Sequence, residues 1–194
     1  MKEAGVKSPG AMAAILGLNS DVVDGVCETA TAQVGKPVVL ANDNCPGQIV
    51  ISGDSDALDV AMTLAQEQGA RRTVKLAVSI AAHSPLMASA AADFQKVVAA
   101  IPFQDPDVPV YGNITAQPLA SVPTIQEELG GQLTKSVQWT NSMQAMIAAG
   151  AEHFIEIGSG DVLTGLMKRI DRKKTRIALN SVEALQKFLG TNES

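Results

Sequence analysis

The chain has 194 residues, 46% of them hydrophobic, which is enough to bury a core for one large domain or for a domain with a subdomain. Its formal charge of -5 and its single short basic run, residues 168–176, disfavour nucleic-acid binding, because phosphate contacts need a broad positive surface. No apolar run approaches the roughly 18 residues of a membrane span, and residues 1–10 lack the apolar stretch of a secretion signal. We therefore expect a soluble, cytoplasmic protein without membrane or nucleic-acid partners.

The two cysteines are too few for a disulfide framework. Cys27 and Cys45 form no C-x-x-C pair and no cysteine–histidine spacing of a zinc site. This pattern favours a reducing compartment, and it predicts no metal cofactor. No nucleotide-binding motif is present either, so we expect no cofactor of that kind.

Residues 11–81 alternate between strand and helix signals in a recognisable order. The predicted elements are a strand at 11–18, a helix at 20–34, strands at 37–43 and 48–53 joined by a Pro-Gly turn, a helix at 54–69 and a strand at 71–81. This β-α-β-β-α-β order is that of the ferredoxin-like split unit. We assign a ferredoxin-like subdomain to residues 9–79.

The rest of the chain, residues 80–194, has a different organisation. Helices are predicted at 85–101, 123–133, 139–149, 161–170 and 181–189, and strands at 108–114, 152–158 and 175–180. Alternation of strands with helices indicates a parallel sheet. The fold class is therefore α/β, with a second domain built on parallel strands.

His83 is one of only two histidines, and it stands between an apolar run and a Ser-Pro pair. Ser84 is a suitable N-cap and Pro85 suits the first helical position, so the imidazole is predicted to lie at the positive end of a helix. That field disfavours the imidazolium ion and leaves the neutral form that a general base requires. The alternative is that His83 only fills space at the end of a strand. His153, in a strand, is expected on the surface.

No nucleophile for such a base is evident. The G-x-S-x-G elbow is absent, and Ser159, between two glycines, is interpreted as part of a tight turn. Cys45 could be imagined as a nucleophile with His83 and Asn113. A turn between two strands offers nothing to lower the pKa of a thiol, so we disfavour that role.

Five blocks of the sequence together carry a resemblance. They are "GAMAAILGL" (10–18), "ANDNCPGQIVISG" (41–53), "VSIAAHSPLM" (78–87), "GQLTKSVQW" (131–139) and "FIEIGSGDVLTGLMKRI" (154–170). In this order and spacing they resemble the malonyl-CoA:acyl carrier protein transacylase family, the acyltransferases of fatty-acid and polyketide synthesis. The resemblance covers the C-terminal two thirds of such an enzyme. It implies that residues 80–194 form the C-terminal part of a parallel-sheet, α/β-hydrolase-like acyltransferase core.

The resemblance also implies roles for four residues. His83 would take the proton of a nucleophilic serine and later that of the pantetheine thiol, in a two-step ping-pong transfer of malonate from CoA to acyl carrier protein. A backbone carbonyl near Gln132 would hold the other ring nitrogen, while Asn44 and Ser84 would lie at the substrate pocket. For Asn44, a purely structural role in the turn is the alternative. The choice between malonyl and methylmalonyl groups stays open.

The family's serine elbow, oxyanion-hole loop and malonate-binding arginine match nothing in this sequence and would precede Met1. The resemblance therefore implies that the chain alone is inactive. The alternative is a non-catalytic module that binds an acyl thioester or a carrier protein, or one half of a split enzyme.

Overall fold

The computed structural model describes residues 9–191. The chain divides into two compact units, with the boundary between Ser142 and Met143. The strands are β1 (Ala11–Leu16), β2 (Val38–Cys45), β3 (Gln48–Gly53), β4 (Arg72–Lys75), β5 (Val110–Tyr111), β6 (Pro118–Leu119), β7 (His153–Ile157) and β8 (Thr175–Leu179). The α-helices are α1 (Ser20–Val34), α2 (Ser55–Glu67), α3 (Ala88–Ala100), α4 (Val122–Gly131), α5 (Trp139–Ala148), α6 (Val162–Ile170) and α7 (Val182–Thr191), and a 3-10 turn covers Pro85–Met87.

The first unit is built on a four-stranded antiparallel sheet. Its strand order is β2-β3-β1-β4, and β1 pairs with both β3 and β4. The β-α-β-β-α-β order predicted from the sequence is present. The Pro-Gly turn between β2 and β3 is also as predicted, with Gly47 at a φ of 70°.

One face of this sheet packs against α1 and α2. Alternate residues of β1 and β3 point to that face, and they bury their side chains with apolar residues of both helices: Ala13, Ile15, Ile49, Ile51, Val23, Val26, Leu58 and Ala61. The helix bounds follow local signals, because Asn19 accepts a hydrogen bond from the Val22 amide and Gly35 ends α1 at a φ of 74°. Burial on this face forms the main core of the first unit.

The opposite face of the sheet carries a smaller apolar cluster. Met12, Ala41 and Val50 are buried there, with Leu76 and Ala82 packed against them. Ala82 immediately precedes His83. This cluster therefore anchors the segment that carries the histidine to the sheet.

The strand predicted at 71–81 is wrong in its second half. β4 ends at Lys75, and the Leu76 amide makes one more bond to the Met12 carbonyl. The next ladder bond would join Val78 to Gly10, but Gly10 lies outside β1, and the Val78 amide donates to the Leu76 carbonyl at 2.8 Å instead. The alternating residues 77–81 therefore leave the sheet.

The strand predicted at 108–114 is wrong in its length and in its place in a parallel sheet. Only Val110 and Tyr111 are extended, and they pair antiparallel with β6 instead of joining a parallel sheet. The chain reverses after Gly112, whose amide donates to the Gln117 carbonyl at 3.0 Å. The buried carboxylate of Glu128 stabilises the reversal by accepting a bond from the Ile114 amide at 2.8 Å.

The second unit contains the parallel pair that the sequence predicts. β7 and β8 are paired in register from His153 with Thr175 to Ile157 with Leu179. Glu156 accepts hydrogen bonds from the Leu163 and Thr164 amides, which ties β7 to the first turn of α6. No helix among residues 9–191 is long and apolar enough to cross a membrane.

Candidate functional site

His83 lies in the loop between β4 and the 3-10 turn, with a backbone conformation that is unusual for its residue type. Its φ is 58°, in the left-handed region that residues with a Cβ seldom occupy. The side chain is half-buried. Its backbone N–H donates to the Leu133 carbonyl at 3.0 Å. Non-glycine residues in this region persist only where the surroundings hold them, and such positions cluster at functional sites.

Ser84 caps the turn that follows, as the sequence predicts. Its hydroxyl accepts from the Leu86 amide at 3.3 Å and donates to the Ala81 carbonyl at 2.7 Å. Pro85 is the first residue of the turn, but the turn is 3-10 and the α-helix begins only at Ala88. The hydroxyl of Ser84, whose residue is 0% exposed, is thus engaged within its own loop.

Gln132 lies directly after α4 and serves as its C-cap residue. The carbonyl expected near it is that of Leu133, but this carbonyl receives the backbone N–H of His83 and not a ring nitrogen. In the described part of the chain, His83 Nδ1 and Gln132 Oε1 are both buried and have no hydrogen-bond partner. The two segments therefore meet through the main chain, and His83 Nδ1 does not make the bond that the resemblance implies.

Asn44 lies in β2, not in the turn where the sequence places it. The pairing of β2 with β3 is irregular between Asp43 and Cys45, so Asn44 has no partner residue in the ladder. Such bulges redirect a side chain relative to its neighbours. Asn44 is half-buried.

The segment that follows Leu133 is attached to the outer edge of β2. The Val137 amide donates to the Ala41 carbonyl at 2.8 Å, and the Asp43 amide donates to the Val137 carbonyl at 2.9 Å. The Thr140 hydroxyl then donates to the Asp43 carboxylate, with 2.6 Å between Thr140 Oγ1 and Asp43 Oδ1. We call residues 133–140 the bridging segment, because it connects β2 to the loop of His83.

Sequence reasoning overlooked Asp43 and Thr140. The available signal was the period of two along a strand. It places Asp43 on the same face of β2 as Ala41 and Cys45, and that face is buried. A carboxylate at such a position requires a partner.

Buried polar atoms without partners concentrate in this region. Of the five such atoms found among residues 9–191, four belong to His83 and to residues of or next to the bridging segment: His83 Nδ1, Gln132 Oε1, Ser136 Oγ and Trp139 Nε1. Native proteins contain few such atoms, and bound water or an additional polar group commonly satisfies them. The concentration marks this region as the candidate site.

A polar cleft of about 540 Å³ is lined in part by the bridging segment. Its lining includes the carboxylates of Asp21, Asp24 and Asp43 together with Ser136 and Gln138. Three carboxylates would repel an anionic thioester such as malonyl-CoA. We therefore do not assign this cleft as the acyl pocket.

The remaining residues considered from the sequence lie elsewhere. Ser159 is exposed in a turn between Gly158 and Gly160, both of which have positive φ. Cys45 is fully buried beside Gln48, and His153 is exposed on β7, as expected. The described residues include no group of three or more His, Cys, Asp or Glu that could hold a metal ion.

Sequence comparison with known proteins identifies acyltransferases. The model of the acyl transferase domain family matches residues 2–185. The malonyl CoA-acyl carrier protein transacylase of Bacillus subtilis is 41% identical over 191 residues, which are 98% of this chain and 60% of that protein. The chain thus spans about 60% of the length of this curated relative.

The solved structures that are similar to this chain are also transacylases. The crystal structure of malonyl-CoA:acyl carrier protein transacylase from Xanthomonas oryzae is 39% identical, with a TM-score of 0.91, and the match covers 98% of this chain and 60% of that one. A malonyl-transacylase in complex with its type II PKS acyl-carrier protein has a TM-score of 0.92 at 33% identity, and the match covers 97% of this chain and 62% of that one. This chain belongs to the acyl transferase domain family.

Proposed function

We propose that this chain is the C-terminal part of a malonyl-CoA:acyl carrier protein transacylase and that it provides the general base, His83. The observation that carries the proposal is the position of His83: a strained backbone held by the Leu133 carbonyl, in a region where partnerless buried polar atoms concentrate. The match to transacylases over nearly the whole chain supports the reaction class.

Malonyl transfer would proceed in two steps. In the first, His83 accepts the proton of a serine outside this chain, the serine oxygen bonds to the malonyl carbonyl carbon, and CoA leaves as the thiol with that proton. In the second, His83 accepts the proton of the pantetheine thiol, the sulfur takes the malonyl group, and the serine regains its proton. Malonyl-CoA and acyl carrier protein are therefore the proposed partners, and the scheme uses no cofactor.

The proposal divides the chain into a ferredoxin-like subdomain at residues 9–79 and the C-terminal part of an α/β-hydrolase-like core at residues 80–194. The strand order β2-β3-β1-β4 supports the first assignment, and the parallel pairing of β7 with β8 supports the second. Asn44 and Ser84 stay proposed substrate-pocket residues. A cytoplasmic location is part of the proposal, because two cysteines without framework spacing suit a reducing compartment.

Exposed apolar side chains support the idea that further chain completes the domain. Ile157 on β7 is 81% exposed, and Val162 and Val182 on the neighbouring helices are each 68% exposed. All three lie at or just after the carboxyl ends of the parallel strands β7 and β8, and an apolar patch at one edge of a sheet is normally covered by another part of a protein. We propose that the part of the family domain that this chain does not match covers it, and that the chain alone does not transfer malonate.

The test takes the part of the Bacillus subtilis relative that this chain does not match, about 40% of its length, and joins it upstream of Lys2, as the proposal requires. It then measures malonyl transfer from CoA to acyl carrier protein. We expect transfer by the fusion and none by the chain alone. H83A should lower the rate about 10²–10⁴-fold, as the loss of a general base does.

His153 provides the matched control, because it is the second of the two histidines and is exposed on β7. H153A should transfer at the rate of the unmodified fusion. A fusion in which H83A keeps full activity would refute the role of His83. Carrier-protein binding by the chain alone, with no transfer by a folded fusion, would favour the non-catalytic module instead.

A further inference from the structure

Asp43 is a carboxylate placed where an apolar side chain is expected. It lies on the buried face of β2 and is 9% exposed, and Thr140, its hydrogen-bond donor, is 7% exposed. The Thr140 hydroxyl is 2.6 Å from Asp43 Oδ1 and 3.3 Å from the Asp43 carbonyl oxygen. Burying a carboxylate is costly unless hydrogen bonds compensate, and the Thr140 hydroxyl supplies such a bond.

We propose that Asp43 is a positioning residue for His83, acting through Thr140 and the bridging segment. The inference rests on the proposed function of His83. It assigns Asp43 no contact with the substrate.

The contacts form a continuous path. Asp43 holds Thr140 at the start of α5, and backbone bonds of Ala41 and Asp43 hold Val137. The same segment contains Leu133, whose carbonyl receives the His83 N–H at 3.0 Å. Asp43 thus sets where the bridging segment lies against β2, and the segment places the acceptor for His83.

The acceptor matters because the backbone of His83 is strained. A φ of 58° in a residue with a Cβ costs free energy, and the conformation persists only while surrounding contacts maintain it. The bond from His83 to Leu133 is such a contact. If the bridging segment moved from β2, His83 would relax and its imidazole would change direction.

Amide hydrogen exchange measured by NMR on the 194-residue chain tests this without any catalytic activity. T140V removes the donor at nearly constant shape, and we expect exchange of the His83 amide to become about tenfold faster through local opening. T140S keeps a hydroxyl and should restore slow exchange.

Thr31 offers a matched control at the other end of β2. Its hydroxyl donates to the Val38 carbonyl and accepts from the Val38 amide, both at 3.1 Å, so T31V also removes a threonine hydroxyl bonded to β2. We expect T31V to leave exchange at His83 at the wild-type rate. A wild-type rate in T140V, or equal acceleration in both variants, would overturn the proposal.

If T140V does not fold, the variant D43N tests the positioning role of Asp43 instead. It keeps an oxygen acceptor but replaces a charge-assisted bond by a neutral one of roughly half the strength, so exchange at His83 should be about threefold faster. An unchanged exchange rate in D43N would also overturn the proposal.

In the fusion protein, T140V should lower kcat while KM stays constant. Altered exchange in T140V, together with a fusion that transfers nothing, would leave the positioning role standing and would reject the proposed function.

Discussion

Replacing Gly53 by alanine should destabilise the first unit strongly, because no space exists for the added methyl group. Gly53 ends β3 and is paired with Val38 of β2 and Ala11 of β1. An added Cβ would overlap the Pro37 carbonyl oxygen and would lie 2.5 Å from the Val38 Cα. Both atoms belong to backbone, which cannot rotate away as a flexible side chain can.

The cost can be estimated from what must move. To relieve the overlap, β2 has to separate from β3 at this point, and the 2.8 Å bond from the Asp54 amide to the Pro37 carbonyl is then lost with the adjacent pairing. One or two lost backbone bonds together with overpacking amount to about 2–4 kcal/mol. Urea unfolding followed by the fluorescence of the single tryptophan, Trp139, measures the change.

Gly25 in α1 is the matched control. It is exposed, and a Cβ there would meet no atom within 4 Å. G25A should therefore stabilise the chain by about 0.5–1 kcal/mol, because alanine has less backbone entropy to lose in a helix. If G53A unfolded at the wild-type urea concentration, the reasoning about close backbone approach would be refuted.

Two further outcomes concern titratable groups. Desolvation raises the pKa of Asp54, but hydrogen bonds from the Asp56 amide and from Lys36 bring it below the ordinary value of 3.8. D54A, which removes the cap of α2, should therefore destabilise the chain by about 1 kcal/mol in urea unfolding at pH 7. Because the pKa is lower in the folded chain than in the unfolded one, the part of this difference that depends on the ionised carboxylate should be lost as the pH falls through the lowered pKa. A difference that does not shrink over this range would contradict the reasoning. Burial, followed by Asp24 and Glu28, raises the pKa of Cys27 to about 12, so iodoacetamide at pH 8 should modify it only after unfolding. Rapid modification of the folded chain would show that the thiol is accessible.

The candidate site was only partly predictable. The Ser84 cap beside His83 was predictable, because a Ser-Pro pair is a local helix-start signal. The contact between the loop of His83 and the residues after Gln132 was implied only by the resemblance, and the bond proved to be made by the main chain. Asp43 and Thr140 were missed, because 97 residues separate them and no local pattern reports such a pair.

The sequence by itself determined the elements whose causes are local. The apolar run of β1, the β-rich run of β3 and the Pro-Gly turn each depend on neighbouring residues, and all are present in the structure. The tertiary structure alone decided where β4 ends, since a strand continues only while its backbone pairs with a neighbouring strand. It also decided that Leu133 meets His83, because that contact depends on how distant segments are held against β2.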